Sequence, residues 1–165
     1  MSLMGRRQTG ASLDELRDVY GRRLAEFRRV AAAIVADREI ACDAVQEAFV
    51  RAVRLRGSFT RRGSLDAWVW RIVVNTARDM RPPPLECLEE TADTGNAEND
   101  ERRALVRAAV QQLPERQRLV LFLRHYADLD YGSIAVALSI SDGTVAATLH
   151  AAHARLRQLL AEVKR

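Results

Sequence analysis

Apolar positions recur at helical spacing through two long blocks of this chain, with a polar gap between them. The first block begins at "SLDE", Ser12 to Glu15, which fits a capping box: a serine caps the helix and a glutamate three residues on bonds back. Leu16, Val19, Tyr20, Leu24, Phe27, Ala31 and Ile34 follow at helical spacing. A second run carries Ala41, Ala44, Val45, Ala48, Phe49 and Ala52. "GSFTRRGS", Gly57 to Ser64, then interrupts with glycines, small polar residues and two arginines, and predicts a loop. Ser64 is placed to cap a third helix with Leu65, Trp68, Ile72, Thr76 and Met80 on one face. Pro82 to Pro84 end it, since proline lacks an N–H and disfavours helix in the residue before it.

The second block restarts near Asp100. Leu105, Ala109 and Leu113 predict a short helix, and Pro114 stands at the first position of the next. Leu119, Val120, Leu123 and Tyr126 form that helix's apolar face. A short helix follows with Tyr131, Ile134, Ala135 and Leu138 inward, then a turn over Ser139 to Ser141. Ser141 caps a last helix with the stripe Val145, Leu149, Ala152, Leu156, Leu159 and Val163. The pattern predicts an all-α protein of two small helical domains, residues 12–81 and 101–163, joined by residues 82–100.

Composition sharpens this picture. The aromatic share is 5%, and the apolar set is rich in Ala, Val and Leu, which favours helices over sheets. Charge is distributed unevenly. Residues 1–81 carry net +6, residues 82–101 net −7 and residues 102–165 net +5, for a total of +4. The connector "LECLEETADTGNAEND" is acidic and poor in apolar anchors, as expected of a flexible linker with room for a turn of helix. Two basic blocks suit a polyanionic partner, through charge attraction and counterion release. All basic residues but one are arginine, which forks onto phosphate. No apolar run approaches the roughly 20 residues of a membrane span, and the start lacks a signal peptide's apolar stretch, so a cytoplasmic protein without membrane association is expected. "MSLMG" is left out of the fold reasoning. The two cysteines, Cys42 and Cys87, belong to no CxxC or Cys/His cluster, so neither a metal site nor a disulfide is expected. No carboxylate pair, Ser/His/Asp set or phosphate-cradling glycine loop is evident, so neither enzymatic activity nor a cofactor is expected.

Three segments in order resemble the short, extracytoplasmic-function sigma factors of bacterial RNA polymerase. "DAVQEAFVRAVR", Asp43 to Arg54, resembles the segment that grips the clamp of core polymerase. "GSFTRRGSLDAWVWRIVVNTARD", Gly57 to Asp79, resembles the segment that melts and reads the −10 promoter element. "LPERQRLVLFLRHYADLDYGSIAVALSISDGTVAATLHAAHARLRQLL", Leu113 to Leu160, resembles the −35-reading helix-turn-helix. The resemblance covers about residues 13–81 and 101–160. It implies core RNA polymerase and promoter DNA as partners and an anti-sigma factor as regulator. The free protein is expected to be a monomer with two mobile domains, unless the acidic linker folds against a basic block and compacts it. The acidic linker would then follow the RNA path or act as a tether.

The resemblance assigns roles by position. Asp43, Gln46, Glu47 and Arg54 fall near one helical face and are the candidate polymerase contacts. Promoter melting needs no nucleophile. It needs a pocket for an extruded base and a basic surface for the strand, with stacking contributing about 1–3 kcal/mol per base. Ser58, Arg61, Arg62, Ser64, Trp70, Arg71, Asn75 and Arg78 are the candidate −10 contacts. The tryptophans are about 200° apart on a helix, so Trp68 is expected in the core and Trp70 outward. The candidate −35 contacts are Arg116, Arg118, Ser141, Thr144, Ala147, Thr148, His150, Ala151 and Arg155.

Two departures bear on promoter reading. Family members commonly carry Lys or Arg, then Ser-Arg, where this chain has Ala146, Ala147 and Thr148, and glycine where it has Ser139. Methyl groups of Ala and Thr can pack against thymine methyls, with limited discrimination. The run of arginines that often follows the −10 helix is here a single Arg81 before prolines, and Val73 and Val74 make that helix unusually apolar. The expectation is an alternative sigma factor; the alternative is a sigma-like interaction module that binds polymerase or an anti-sigma factor without reading promoters.

Overall fold

The computed structural model describes residues 10–82 and 97–163, and in these it is all-α. The seven helices are α1 (Leu13–Val35), α2 (Arg38–Leu55), α3 (Leu65–Asp79), α4 (Ala97–Gln111), α5 (Glu115–His125), α6 (Tyr131–Leu138) and α7 (Asp142–Val163), with a 3-10 turn at Arg56–Ser58 after α2. The expected linker character of residues 83–96, with Cys87, and the segment before residue 10 lie outside the described residues. Cys42 is a free, half-buried thiol. No single described helix is long and apolar enough to cross a membrane.

Local chemistry sets the helix starts. Ser12 Oγ accepts from Glu15 N–H at 3.1 Å and Glu15 Oε2 from Ser12 N–H at 2.8 Å, completing the capping box. Asp37 caps α2, Ser64 caps α3, Asp130 caps α6, and Ser141 Oγ accepts from Thr144 N–H at the start of α7. Pro114 is the N-cap of α5 rather than its first helical residue; its extended ψ of 143° keeps it outside the helix. α6 ends on Ser139 at φ 56°, a left-handed conformation that glycine adopts without strain.

Helices α1, α2 and α3 pack on one another, and α4, α5 and α6 pack around α7. The two groups are also docked: α3 lies against α6, and α1 against α5. This differs from the expectation of two mobile domains. The reason is visible on α3, where Ala67, Trp68, Val69, Trp70, Ile72, Val73, Val74, Thr76 and Ala77 are all buried. A helix buried that far round needs neighbours on several sides, and α1, α2 and α6 supply them. The unusual Val73 and Val74 are both fully buried. Trp70, expected outward, is fully buried with its ring 4.4 Å from that of Phe27. Trp68 is buried too, with its ring 5.7 Å from Phe59 of the loop.

Polar contacts fasten the seam between the groups. Glu115, first residue of α5, accepts from Arg78 Nε at 3.3 Å and Arg81 Nη1 at 2.6 Å. Arg23 of α1 donates to the Ala127 carbonyl at 2.8 Å and also pairs with Asp66. The Arg29 guanidinium lies 5.9 Å from the ring centre of Tyr126.

Three apolar expectations fail in the second group. Tyr126, Tyr131 and Leu105 are exposed rather than inward. Tyr126 falls just past the end of α5, where it stacks on Phe122 and meets Arg29. Tyr131 opens α6, before that helix has turned its apolar side fully inward. α4 packs chiefly on α7, so Ala109 is buried and Leu105 is not. In α7, Val145, Leu149, Ala152 and Leu159 are buried as expected, and Leu156 is half-buried. The Val163 side chain lies outside the described residues.

Two measurements test this packing. The Thr76 hydroxyl is fully buried with no hydrogen-bond partner among the described residues. Thr76→Val removes that unsatisfied group at nearly constant shape and should raise unfolding free energy by about 1 kcal/mol in denaturant titration; a loss of stability would contradict the burial. The Arg61 guanidinium forks onto Glu15 at 2.9 and 3.0 Å. With the Ser12 backbone bond, it lowers the Glu15 pKa to about 2. A depressed carboxylate pKa adds stability that is complete above the ordinary value near 4.5 and is lost as pH falls through about 2. The melting-temperature difference between the wild type and Glu15→Gln should therefore be largest above that ordinary value and vanish near pH 2. A difference independent of pH would refute the ion pair.

Candidate nucleic-acid interface

The loop before α3 is held at both ends. Ser58 Oγ donates to the Leu55 carbonyl at 2.8 Å, and Ser64 caps α3. Between them Arg61 takes a left-handed φ of 58°, anchored by its fork onto Glu15. The backbone of Gly10 and Ala11 also donates to the Phe59 and Arg56 carbonyls. Gly10 is at φ +102°, and a Cβ there would come within 2.9 Å of the Arg56 oxygen. The N-terminal strap thus fixes the loop's shape, and Ser58, Arg62 and Ser64 remain exposed on it.

Beside the loop, Arg71, Asn75 and Arg78 of α3 are exposed, as the helical pattern implies. Trp70 does not join them, since its ring is spent in the core against Phe27. The polar surface of this region is therefore one narrow ridge on α3 and the adjoining loop. Arg78 at its far end reaches Glu115 and lines a crevice of about 430 Å³ with Glu115, Arg116, Leu138 and Ile140. Both Arg78 and Arg116 line it, but so does Glu115: burial works to raise its pKa, and Arg81 and then Arg78 together outweigh that and lower it. Its charge opposes phosphate at that point.

In the helix-turn-helix, Ala146, Ala147, His150, Ala151 and Arg155 are exposed on α7, while Thr144 and Thr148 are half-buried. The Thr144 hydroxyl bonds to Ser141 at 2.8 Å and belongs to the cap. Arg116 is exposed on α5, whereas Arg118 is half-buried and donates to the Gln111 carbonyl at 3.1 Å. Arg118 therefore ties α5 back to α4. The reading face is a strip of methyl groups with a histidine at its edge and one arginine at its end.

On α2, Asp43, Gln46 and Arg54 are exposed and Glu47 is half-buried. Glu47 accepts from Arg51 at 3.0 Å, and Arg51 also reaches Asp79 of α3 at 2.8 Å. These pairs brace α2 against α3. Sequence reasoning missed Val50 and Val53 on the same face, 43% and 37% exposed. Their signal was present: both fall in the polar arc of α2, off its alanine stripe. Exposed valines among charges suit a helical protein partner better than they suit nucleic acid. Glu115 was also missed, because an acidic residue at a helix start is ordinary until its partners are seen.

Three surfaces are thus present: a mixed apolar and charged face on α2, a polar ridge on the loop and α3, and a methyl-rich face on α7. Comparison with known proteins matches this order. A family model described as Sigma-70 region 2 matches residues 19–81, and one described as Sigma-70, region 4 matches residues 103–156. The RNA polymerase sigma-H factor of Pseudomonas aeruginosa is 34% identical over 131 residues, covering 67% of this chain and 68% of that protein. The ECF RNA polymerase sigma-E factor of Escherichia coli K12 is 34% identical over 123 residues, covering 62% of this chain and 64% of its own. The sigma factor RpoE of Bartonella quintana, solved with the anti-sigma factor NepR, superposes with a TM-score of 0.66 at 22% identity, over 90% of this chain and 99% of that one, and shares the fold. This chain belongs to the extracytoplasmic-function group of the sigma-70 family, the RNA polymerase sigma factors that direct promoter-specific initiation of transcription.

Proposed function

We propose that the three surfaces divide the work of initiation. The α2 face, with Asp43, Gln46, Glu47, Val50, Val53 and Arg54, docks on core polymerase. Ser58, Arg61, Arg62, Ser64, Arg71, Asn75 and Arg78 hold the −10 strand, with Arg62 and Asn75 reaching it without first giving up a partner seen in the fold. Arg61 keeps its loop shape through Glu15 and serves the strand mainly by placing Ser58 and Arg62. On α7, Ala147, Thr148, His150 and Ala151 meet the −35 element by methyl and shape contacts, while Arg116 and Arg155 hold the backbone. The protein carries out no catalysis itself and works beside polymerase in the cytoplasm. An anti-sigma factor is its expected regulator, acting on the docked pair of domains.

One observation carries this reading. α2 exposes Asp43, Gln46, Val50, Val53 and Arg54 on one side while α7 exposes Ala147, His150 and Ala151, which suits separate protein and DNA partners. A second reading, an interaction module without promoter specificity, gains support from the alanine-rich α7 face and from Glu115 across Arg78 and Arg81. Selection from randomised promoter DNA, with core polymerase plus or minus this protein, separates them. Two spaced enriched blocks are expected. Retention on core with no enriched sequence would leave only the module.

The docked arrangement adds an expectation. Glu115→Gln frees Arg78 and Arg81, so the isolated protein should bind nonspecific duplex DNA more tightly. The slope of log K against log salt should steepen by up to about 2. An unchanged slope would mean that the two arginines are already available.

A further inference from the structure

Outside the three surfaces, two imidazoles face each other. His125 is the last residue of α5, and His153 lies in the middle of α7, 28 residues later. Their Nε2 atoms are 3.4 Å apart, and the rings are inclined at 56° with centres 5.6 Å apart. Both residues are exposed, so solvent and ions reach the pair. Nothing in the linear spacing announces it, because the two histidines meet only when α5 packs on α7.

The distance has a chemical meaning. Two imidazole nitrogens bound to one first-row ion at roughly 2.0–2.1 Å, at a tetrahedral angle, stand about 3.3–3.4 Å apart. The same 3.4 Å contact is a hydrogen bond in which one Nε2–H donates to the other ring, and a tautomer shift that moves this proton to Nδ1 leaves both Nε2 lone pairs at that spacing. Ligation also needs a neutral ring with a free lone pair. The Arg124 guanidinium opposes a cation in the vicinity. It is drawn toward the Leu129 carbonyl at 3.1 Å and the Asp128 carboxylate at 3.6 Å, which offsets part of that repulsion.

We propose that His125 and His153 form a two-histidine site for a divalent first-row transition metal of the zinc, nickel or copper class, with solvent completing the coordination. Imidazole selects these ions over magnesium and calcium, which prefer oxygen ligands. The ligands come from the first and last helices of the helix-turn-helix, so the ion pins the reading helix to α5. The pin also adjoins the seam between domains, since Tyr126 and Ala127 follow His125 and meet Arg29 and Arg23 of α1.

The test uses the full chain, stripped with chelator and melted at pH 7.5 with added Zn2+ alone or Mg2+ alone. Zn2+ near saturation should raise the melting temperature by about 5 °C or more, and Mg2+ should not. His125→Asn and His153→Asn should each abolish the rise, whereas His150→Asn, one turn earlier on α7, should keep it. Co2+ titration at a temperature where circular dichroism shows every variant folded gives a second reading. Its visible absorption should saturate at one ion per chain and weaken at least 10-fold in either of the first two variants. No rise in the wild type, or a rise that survives His125→Asn, overturns the site. Loss in His150→Asn would also overturn it, by showing chelation along α7 alone.

Discussion

The enclosure of α3 by α1, α2 and α6 sets what the rest of the molecule is able to do. Trp70 against Phe27 anchors it on one side, and burying large apolar side chains contributes roughly 1.5–3 kcal/mol each. Val73 and Val74 leave no polar group to solvate on the sides that remain. The helix proposed to meet the −10 element is therefore also the keystone between the two domains. Its free circumference shrinks to Arg71, Asn75, Arg78 and Asp79, and two of these are already paired, Asp79 with Arg51 and Arg78 with Glu115.

This limits the charge that α3 itself can carry. A ridge that must also seat α6 cannot carry a continuous run of arginines without burying some of them unpaired, which is costly. Arg78 and Arg81 survive there because Glu115 meets both. Docked domains protect the apolar seat, and the same contact engages two arginines on one carboxylate. In the proposed reading, core polymerase would have to separate the docked domains, and the α2 face is the surface offered to it. Val50 and Val53 give that face an apolar component that salt does not screen.

Much of the fold was legible because its signals are local. The Ser12–Glu15 capping box, the Ser64 and Ser141 caps and the alanine stripe of α2 depend on residues within a turn of one another. What escaped was non-local. The outward placement of Trp70 assumed a helix with a single buried side, and only the second and third neighbours of α3 overturn it. Tyr126 and Tyr131 follow apolar spacing but sit at helix ends, where the stripe no longer meets the core. Arg118, a candidate phosphate contact, also ties α5 to α4 through the Gln111 carbonyl, a link that no periodicity encodes. The clasp on Glu115 and the facing histidines join residues far apart in sequence, and no periodicity encodes them.

The central claim is that the free protein holds its two domains together through α3 and α6. Paired spin labels at Asp18→Cys on α1 and Gln158→Cys on α7, in a chain with Cys42 and Cys87 replaced by alanine, test it by pulsed dipolar spectroscopy. Both labelled positions are exposed. The docked arrangement predicts one narrow distance distribution in the free protein, moving to a longer distance when core polymerase is added. A broad distribution in the free protein, unchanged in its mean by core polymerase, would contradict it.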